Sequence, residues 1–348
     1  MEAHILFLSR MRSKKFYFSI FLASILFLIS SCGEEKNTEI NTKNTEESKQ
    51  EKPRVSPPEF NADSAFLFIE KQADFGPRVP GTKAHENCLN WLEKKLRAFG
   101  FSVSIQSAPT LTYDNKQFNL KNIIASFNPE KAERILLCAH WDSRPICDRD
   151  SIPSNKSKAC PGVNDGASGV GVLLEIARAI QLKSPESGID IVFFDLEDYG
   201  QPENSGLPRI EDSWCLGAQY WARNPHTLNY TAKFGILLDM VGAKNATFMQ
   251  EGGSLYFARG VTEYIWNTAD KLGFANYFVK REQQGGLTDD HLYINRVAHI
   301  PTVDIIHYDE KRSDFFEHHH KLSDDIKNID KATLKAVGQT VLEVVYNP

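Results

Sequence analysis

Arg134-Ile135-Leu136-Leu137-Cys138-Ala139-His140-Trp141-Asp142 runs from an unbroken apolar segment straight into a polar cluster. A strand with one wet face alternates polar and apolar residues, whereas a strand covered on both faces reads as a continuous apolar run. The same two-part pattern recurs twice downstream. Ile191-Val192-Phe193-Phe194 leads into Asp195-Leu196-Glu197-Asp198, and Ile236-Leu237-Leu238 leads into Asp239. Working outward from these cores, apolar spacing and turn residues predict strands over 102–107, 120–126, 134–139, 190–195, 233–239 and 302–306. Helices are predicted over 63–73, 82–99, 168–183, 213–223, 256–272 and 331–346. Helices alternating with doubly covered strands specify an α/β fold: one domain with a central, twisted, mostly parallel sheet flanked by helices on both faces. In such sheets ligand sites gather beyond the carboxyl ends of the strands, where His140, Glu197, Asp198 and Asp239 fall.

Two further segments extend that cluster. Gly162-Val163-Asn164-Asp165-Gly166-Ala167-Ser168-Gly169 is a small-residue turn feeding a helix, which would hold Asp165 close to the strand ends. His318-His319-His320 precedes Asp324 and Asp330, an imidazole run with acids behind it. One histidine with two carboxylates makes a zinc donor set, and a carboxylate-rich site also suits other divalent ions. His85-Glu86 begins like a zinc-protease helix motif, but Leu89 stands where its second histidine should be, so a structural role is expected there. Ser168 fits a helix N-terminus rather than a nucleophile elbow. His226, His299 and His307 lack partners at telling spacing.

The N-terminal region reads differently. Arg10, Arg12, Lys14 and Lys15 precede the apolar run Phe16 to Ile29, which as a helix would span about 21 Å against a bilayer core of about 30 Å. Ile29-Ser30-Ser31-Cys32 follows directly and resembles the lipobox at which bacterial lipoproteins are cleaved and their cysteine acylated. The expectation is a signal peptide over 1–31 and an exported protein held at a bacterial membrane by lipid on Cys32, periplasm-facing or at the cell surface. Residues 32–58 carry Ile40 and Val55 as their only aliphatic side chains, so they are expected to form a disordered tether, with the folded domain over 59–348. The chain has 348 residues, 41% hydrophobic and 24% charged, with a formal net charge of −5. That acidic balance argues against a nucleic-acid partner, whose binders present a basic face.

Six motifs in order across the chain carry a resemblance to a known family. They are Phe75-Gly76-Pro77-Arg78-Val79-Pro80-Gly81, His140-Trp141-Asp142-Ser143-Arg144-Pro145, Asn164 to Gly169, Phe193 to Gly200, Leu237-Leu238-Asp239-Met240-Val241-Gly242, and Asp289-Asp290-His291. Together they resemble the zinc aminopeptidase-like fold and, within it, the glutaminyl-peptide cyclotransferases of the bacterial type close to the animal enzymes. The resemblance implies one Zn²⁺ per chain on Asp165, Asp198 and a histidine. His320 is indicated by its ten-residue distance from Asp330, with His319 as the fallback. It implies Glu197 as general acid/base, beside the hydrogen-bonded acids Asp239 and Asp289. The implied reaction closes the N-terminal glutamine of a peptide or protein into pyroglutamate and releases ammonia.

The principal alternative is a two-metal aminopeptidase of the same fold, because His140 and Asp239 match positions that hold a second ion there. Retention of Glu197 with every ligand type argues against a catalytically silent binding lipoprotein. Substrate-contacting or supporting roles are expected for His140, Trp141, Asp142, Asp304 and His319. Where the animal enzymes carry a tryptophan before the zinc histidine this chain has His319, and where they carry a histidine on the preceding strand it has Asp304. Trp141, Trp214 or Trp221 could supply the missing aromatic wall. Beyond Cys32 there are five cysteines; Cys147 and Cys160 flank the loop leading to Asp165, where a disulfide could tether it, and Cys138 is expected to pack as a small apolar group.

Overall fold

The computed structural model describes residues 53–348. In chain order its main elements are α1 (Ala62–Asp74), α2 (Lys83–Ala98), β1 (Ser102–Leu111), β2 (Gln117–Phe127), β3 (Arg134–His140), α3 (Ala167–Leu182), β4 (Gly188–Phe194), α4 (Leu216–Arg223), β5 (Phe234–Asp239) and β6 (Phe248–Gln250). They continue with α5 (Gly252–Lys271), β7 (Phe278–Glu282), the single-turn α6 (Asp290–Tyr293), β8 (Thr302–Ile306) and α7 (Lys331–Tyr346).

The main sheet has the order β1-β2-β4-β3-β5-β8. β3 pairs in parallel with both β4 and β5, and β5 with β8, while β1 and β2 add an antiparallel edge. The apolar run of β3 divides between two cores. Ile135, Leu137 and Ala139 pack with residues of α1, α3 and α7 on one face. Leu136 and Cys138 pack with Trp221 and Ile294 on the other. Such full burial contributes roughly 1.5–3 kcal/mol per large aliphatic side chain, which explains why the strand runs apolar without a break from Ile135 until His140.

Helix limits follow local chemistry. Asn61, Thr82 and Asp330 cap α1, α2 and α7, each side chain accepting a backbone N–H of the first turn. α5 starts at Gly252, four residues before the predicted 256, because the Glu251 carboxylate accepts the N–H groups of Gly253 and Ser254 and so offsets the poor helix propensity of the glycines. α4 starts at Leu216 rather than 213, since Cys215 takes a left-handed conformation (φ 58°) that ends the preceding loop. The short pair β6–β7 and the turn α6 have no counterpart in the sequence prediction.

Residues 54–56, which fall in the span expected to be a disordered tether, are instead bonded to the folded body. Arg54 pairs with Glu343, Val55 exchanges hydrogen bonds with Asn347, and Lys183 donates to the Ser56 carbonyl. Residues from 54 onward therefore belong to the folded body. The signal segment, Cys32 and the rest of the tether lie outside the described residues. No described helix is long and apolar enough to cross a membrane.

The first turn of α3 is pressed against the ends of two strands. A Cβ placed on Gly169 would lie 2.2 Å from the Leu238 carbonyl oxygen and 3.1 Å from the Ala139 Cβ. Gly169→Ala is therefore expected to destabilise the protein by about 1–3 kcal/mol, read as a lowered thermal midpoint; an unchanged midpoint would show that the helix can move away freely.

Candidate metal centre

The polar residues at the strand ends are aimed by the turns that follow them. β3 ends at His140, in register with Phe194 of β4. After Phe194 the chain reverses through Leu196 in a left-handed conformation (φ 54°), which brings Glu197 and Asp198 to the site. After Asp239, Met240 does the same (φ 49°). Non-glycine residues in this region carry strain that the surroundings must hold. Asp165 arrives on the loop before α3, where Gly166 has φ 76° and a Cβ would sit 2.7 Å from the His140 ring. Only glycine lets the loop approach that imidazole.

Two groups of donors converge. In the first, His320 Nε2 lies 3.0 Å from Asp198 Oδ1 and 3.7 Å from Asp165 Oδ2. Ligand atoms about 2.0–2.2 Å from a tetrahedral zinc stand roughly 3.3 Å apart, so these separations bracket that spacing. His319 Nε2 is also 3.7 Å from Asp165 Oδ2. His318 points away, bonded to Ser323. In the second group, His140 Nε2 is 3.1 Å from Asp165 Oδ1 and 3.3 Å from Asp239 Oδ1. The His140 nitrogens, Asp198 Oδ1 and Asp239 Oδ1 are buried and make no hydrogen bond. Unbonded buried carboxylate oxygens are costly unless a cation meets them. Two carboxylates with an imidazole therefore fit a zinc ion.

Backbone amides fix the ligand loops. Asp142 accepts the N–H groups of Glu197 and Asp198, each at 3.2 Å, and Asp324 accepts those of Asn164 at 2.9 Å and Asp165 at 3.1 Å. Asp142 thus supports the site from behind rather than lining it.

Behind Glu197 the acids continue inward. Glu197, Cys215 and Asp289 each place a polar atom within 4.8 Å of the others, and the Cys215 thiol donates to Glu197 Oε1 at 3.2 Å. Asp289, His291 and Asp304 form a second such group, with His291 Nε2 3.1 Å from Glu251 Oε2 and Nδ1 3.6 Å from Asp304 Oδ2. Burial drives the Glu197 carboxyl well above its ordinary value; His140 opposes the rise and Asp289 adds to it. Burial likewise pushes Asp239 up to about 7, against the pull of His140 and with Asp289 adding to it. Asp289 is raised by burial. Asp165 moves the other way: burial would raise it, but its neighbours His140 first, then His319 and His320, hold it below the usual carboxylate range.

Several expectations need correction. Trp141 does not line the site: it is fully buried, stacked on His85 with ring centroids 4.0 Å apart, and its Nε1 donates to the Lys121 carbonyl. Trp221 is likewise core. Of the three tryptophans it is Trp214 that reaches the site, parallel to the His320 ring at 5.9 Å. Cys147 and Cys160 are free thiols, both buried, and Cys160 Sγ donates to the Ile146 carbonyl. His85 is structural as expected, 2.9 Å from Asp195. Sequence reasoning missed Cys215, Glu251 and the roles of Arg144 and Asp148. The residues around Cys215 offered no signal, whereas Arg144 stands inside the His140 motif.

The model of Peptidase family M28 matches residues 122–345. A solved zinc-dependent exopeptidase from Parabacteroides distasonis is 51% identical, with a TM-score of 0.82 over 84% of this chain and 100% of that one. Glutaminyl cyclase of Bacteroides thetaiotaomicron, solved with N-acetylhistamine, is 50% identical, with a TM-score of 0.83 over the same shares. Aminopeptidase YwaD of Bacillus subtilis is 25% identical over 236 residues, 65% of this chain but only 44% of that longer protein. The doubly covered strands, the donors at their carboxyl ends and a family match spanning most of the folded body lead to one conclusion: this chain belongs to peptidase family M28.

Proposed function

We propose that this chain is a glutaminyl-peptide cyclotransferase with one zinc ion per chain, acting on the N-terminal glutamine of peptides or proteins. The observation that carries the reading is the buried acid cluster behind Glu197, where Asp289 lies within 4.8 Å of it; the 50% identity to a solved glutaminyl cyclase supports it. Asp165, Asp198 and His320 would hold the zinc, which when bound supplies Lewis acidity to the γ-carbonyl oxygen of the substrate glutamine. Glu197 takes a proton from the substrate α-amine as its nitrogen bonds to the side-chain amide carbonyl carbon (Cδ), and returns a proton to the departing amide nitrogen, whose bond to that carbon breaks and which leaves as ammonia. Asp239, 3.3 Å from His140 and beside Asp289 in charge, orients that amine. The nucleophile is tethered to its target, so ring closure draws on high effective molarity and needs no activated water.

One observation favours the second reading, a two-metal aminopeptidase. His140, Asp165 and Asp239 form their own group with the separations a cation requires. The two readings part on products. With a glutaminyl peptide the cyclase yields pyroglutamyl peptide and ammonia, a leucyl chromogenic amide is left intact, and a chelator abolishes turnover. Release of free glutamine or leucine without cyclised product would instead establish the aminopeptidase.

Glu197→Gln is expected to lower kcat by about 10²–10⁴-fold while zinc content measured by elemental analysis stays that of the parent. Near-normal turnover would remove Glu197 from its role. For location, the basic segment, apolar run and Ile29-Ser30-Ser31-Cys32 support export and lipid anchoring at a bacterial membrane. Cys32→Ser is expected to abolish labelling by a radioactive fatty acid and to release the protein from the membrane fraction; retained label would contradict the anchor.

A further inference from the structure

The loop after β3 meets the two candidate imidazoles with opposite chemistry. Arg149 Nη1 lies 2.8 Å from His319 Nδ1, and its Nη2 pairs with Asp314. A guanidinium only donates, so His319 Nδ1 is an acceptor there and the proton of the neutral ring sits on Nε2. The Nε2 that faces Asp165 therefore has no lone pair to offer a metal. His320 is read in reverse. Its Nδ1 faces the Asp148 carboxylate at 3.4 Å, an acceptor-only group, which keeps the proton on Nδ1 and leaves Nε2 for the metal.

Asp148 is itself held rigidly. Arg144 is fully buried and grips it with two hydrogen bonds, Nε to Oδ1 at 2.7 Å and Nη2 to Oδ2 at 2.9 Å. The same guanidinium donates to the Asp198 carbonyl at 2.9 Å and to the Gly200 carbonyl at 3.3 Å. It also lies 4.5 Å from the Trp214 ring, whose other neighbour is the His320 ring at an interplanar angle of 7°. One buried cation thus braces the backbone of one ligand, the partner of a second and the aromatic surface parallel to it.

We infer that Asp148, braced by Arg144, is a positioning residue for His320, and that Asp148 and Arg149 together select His320 over its neighbour His319 as the metal ligand. The inference rests on the zinc site of Asp165, Asp198 and His320 proposed above. Carboxylates that orient a metal-binding imidazole affect metal affinity even though they never touch the ion.

The test uses the full chain in detergent, stripped of metal and titrated with zinc against a competing fluorescent chelator. Asp148→Ala is expected to weaken zinc binding by about 10–100-fold. Asp148→Asn, which keeps the size and a neutral acceptor, is expected to lose several-fold and serves if the alanine variant does not fold. His319→Ala is expected to keep parental affinity. The visible absorption of the cobalt-substituted protein should shift in both Asp148 variants, a change that a purely structural role would not produce. Parental zinc affinity and parental cobalt spectra in a folded Asp148 variant would overturn the inference, as would a loss in His319→Ala as large as that in His320→Ala. Parental affinity in His320→Ala alone would instead refute the underlying ligand assignment.

Discussion

The organisation of this protein depends on the withdrawal of many carboxylates from water at a single point. Asp142, Asp165, Asp198, Asp239, Asp289, Asp290 and Asp304 are all buried around the carboxyl ends of β3, β4 and β5, with Glu197 nearly so. Imidazoles, Arg144, backbone amides and the Cys215 thiol answer them at short range. Asp142 and Asp324 are satisfied by amides, and Asp148 by Arg144. Asp198 and Asp239 retain unbonded oxygens at the centre. A crowd of like charges in a weakly polarisable interior is tolerable if some members stay protonated and a cation neutralises others. Those two remedies are also what the proposed reaction uses, a proton carrier and a Lewis acid.

The fold supplies that concentration with little demand on the sequence. Three parallel strands with no wet face deliver three polar termini to one edge, and the tight turns after them bend the chain back at once. The close packing of Gly166 on His140 and Gly169 on Leu238 draws the helix α3 and its preceding loop over the strand ends. The left-handed residues Leu196, Met240 and His320 mark the same rim. Each is held by its neighbours rather than by its own preference, as expected where geometry serves a site.

Much of this was legible in the chain. The six strands of the main sheet and six of the helices were predicted close to their observed limits; the plainest signal was the unbroken apolar run of β3, β4 and β5, which are buried throughout. The donors at the strand ends followed from that reading. What stayed hidden depends on partners distant in sequence. Trp141 follows His140 directly, yet its ring turns back onto His85; the sequence has no means of stating which way a side chain at a strand end points. β6 and β7 are short and packed on α5, so their pattern is weak. Cys215 and Glu251 enter the site only through tertiary folding. The choice between His319 and His320 could be drawn from spacing through the resemblance, but its physical basis lies in Asp148 and Arg149, about 170 positions upstream.

The two groups of donors share Asp165, and this shared residue is where one-ion and two-ion designs on such a fold part company. In the proposed one-ion arrangement the His140 and Asp239 side holds the proton-bearing and amine-orienting groups, and the His320 and Asp198 side holds the cation. The most direct measurement is diffraction from crystals of zinc-loaded protein, recorded on both sides of the zinc absorption edge. One anomalous peak among Asp165, Asp198 and His320 is the predicted result. A second peak of equal height between His140 and Asp239, or a lone peak there, would contradict it.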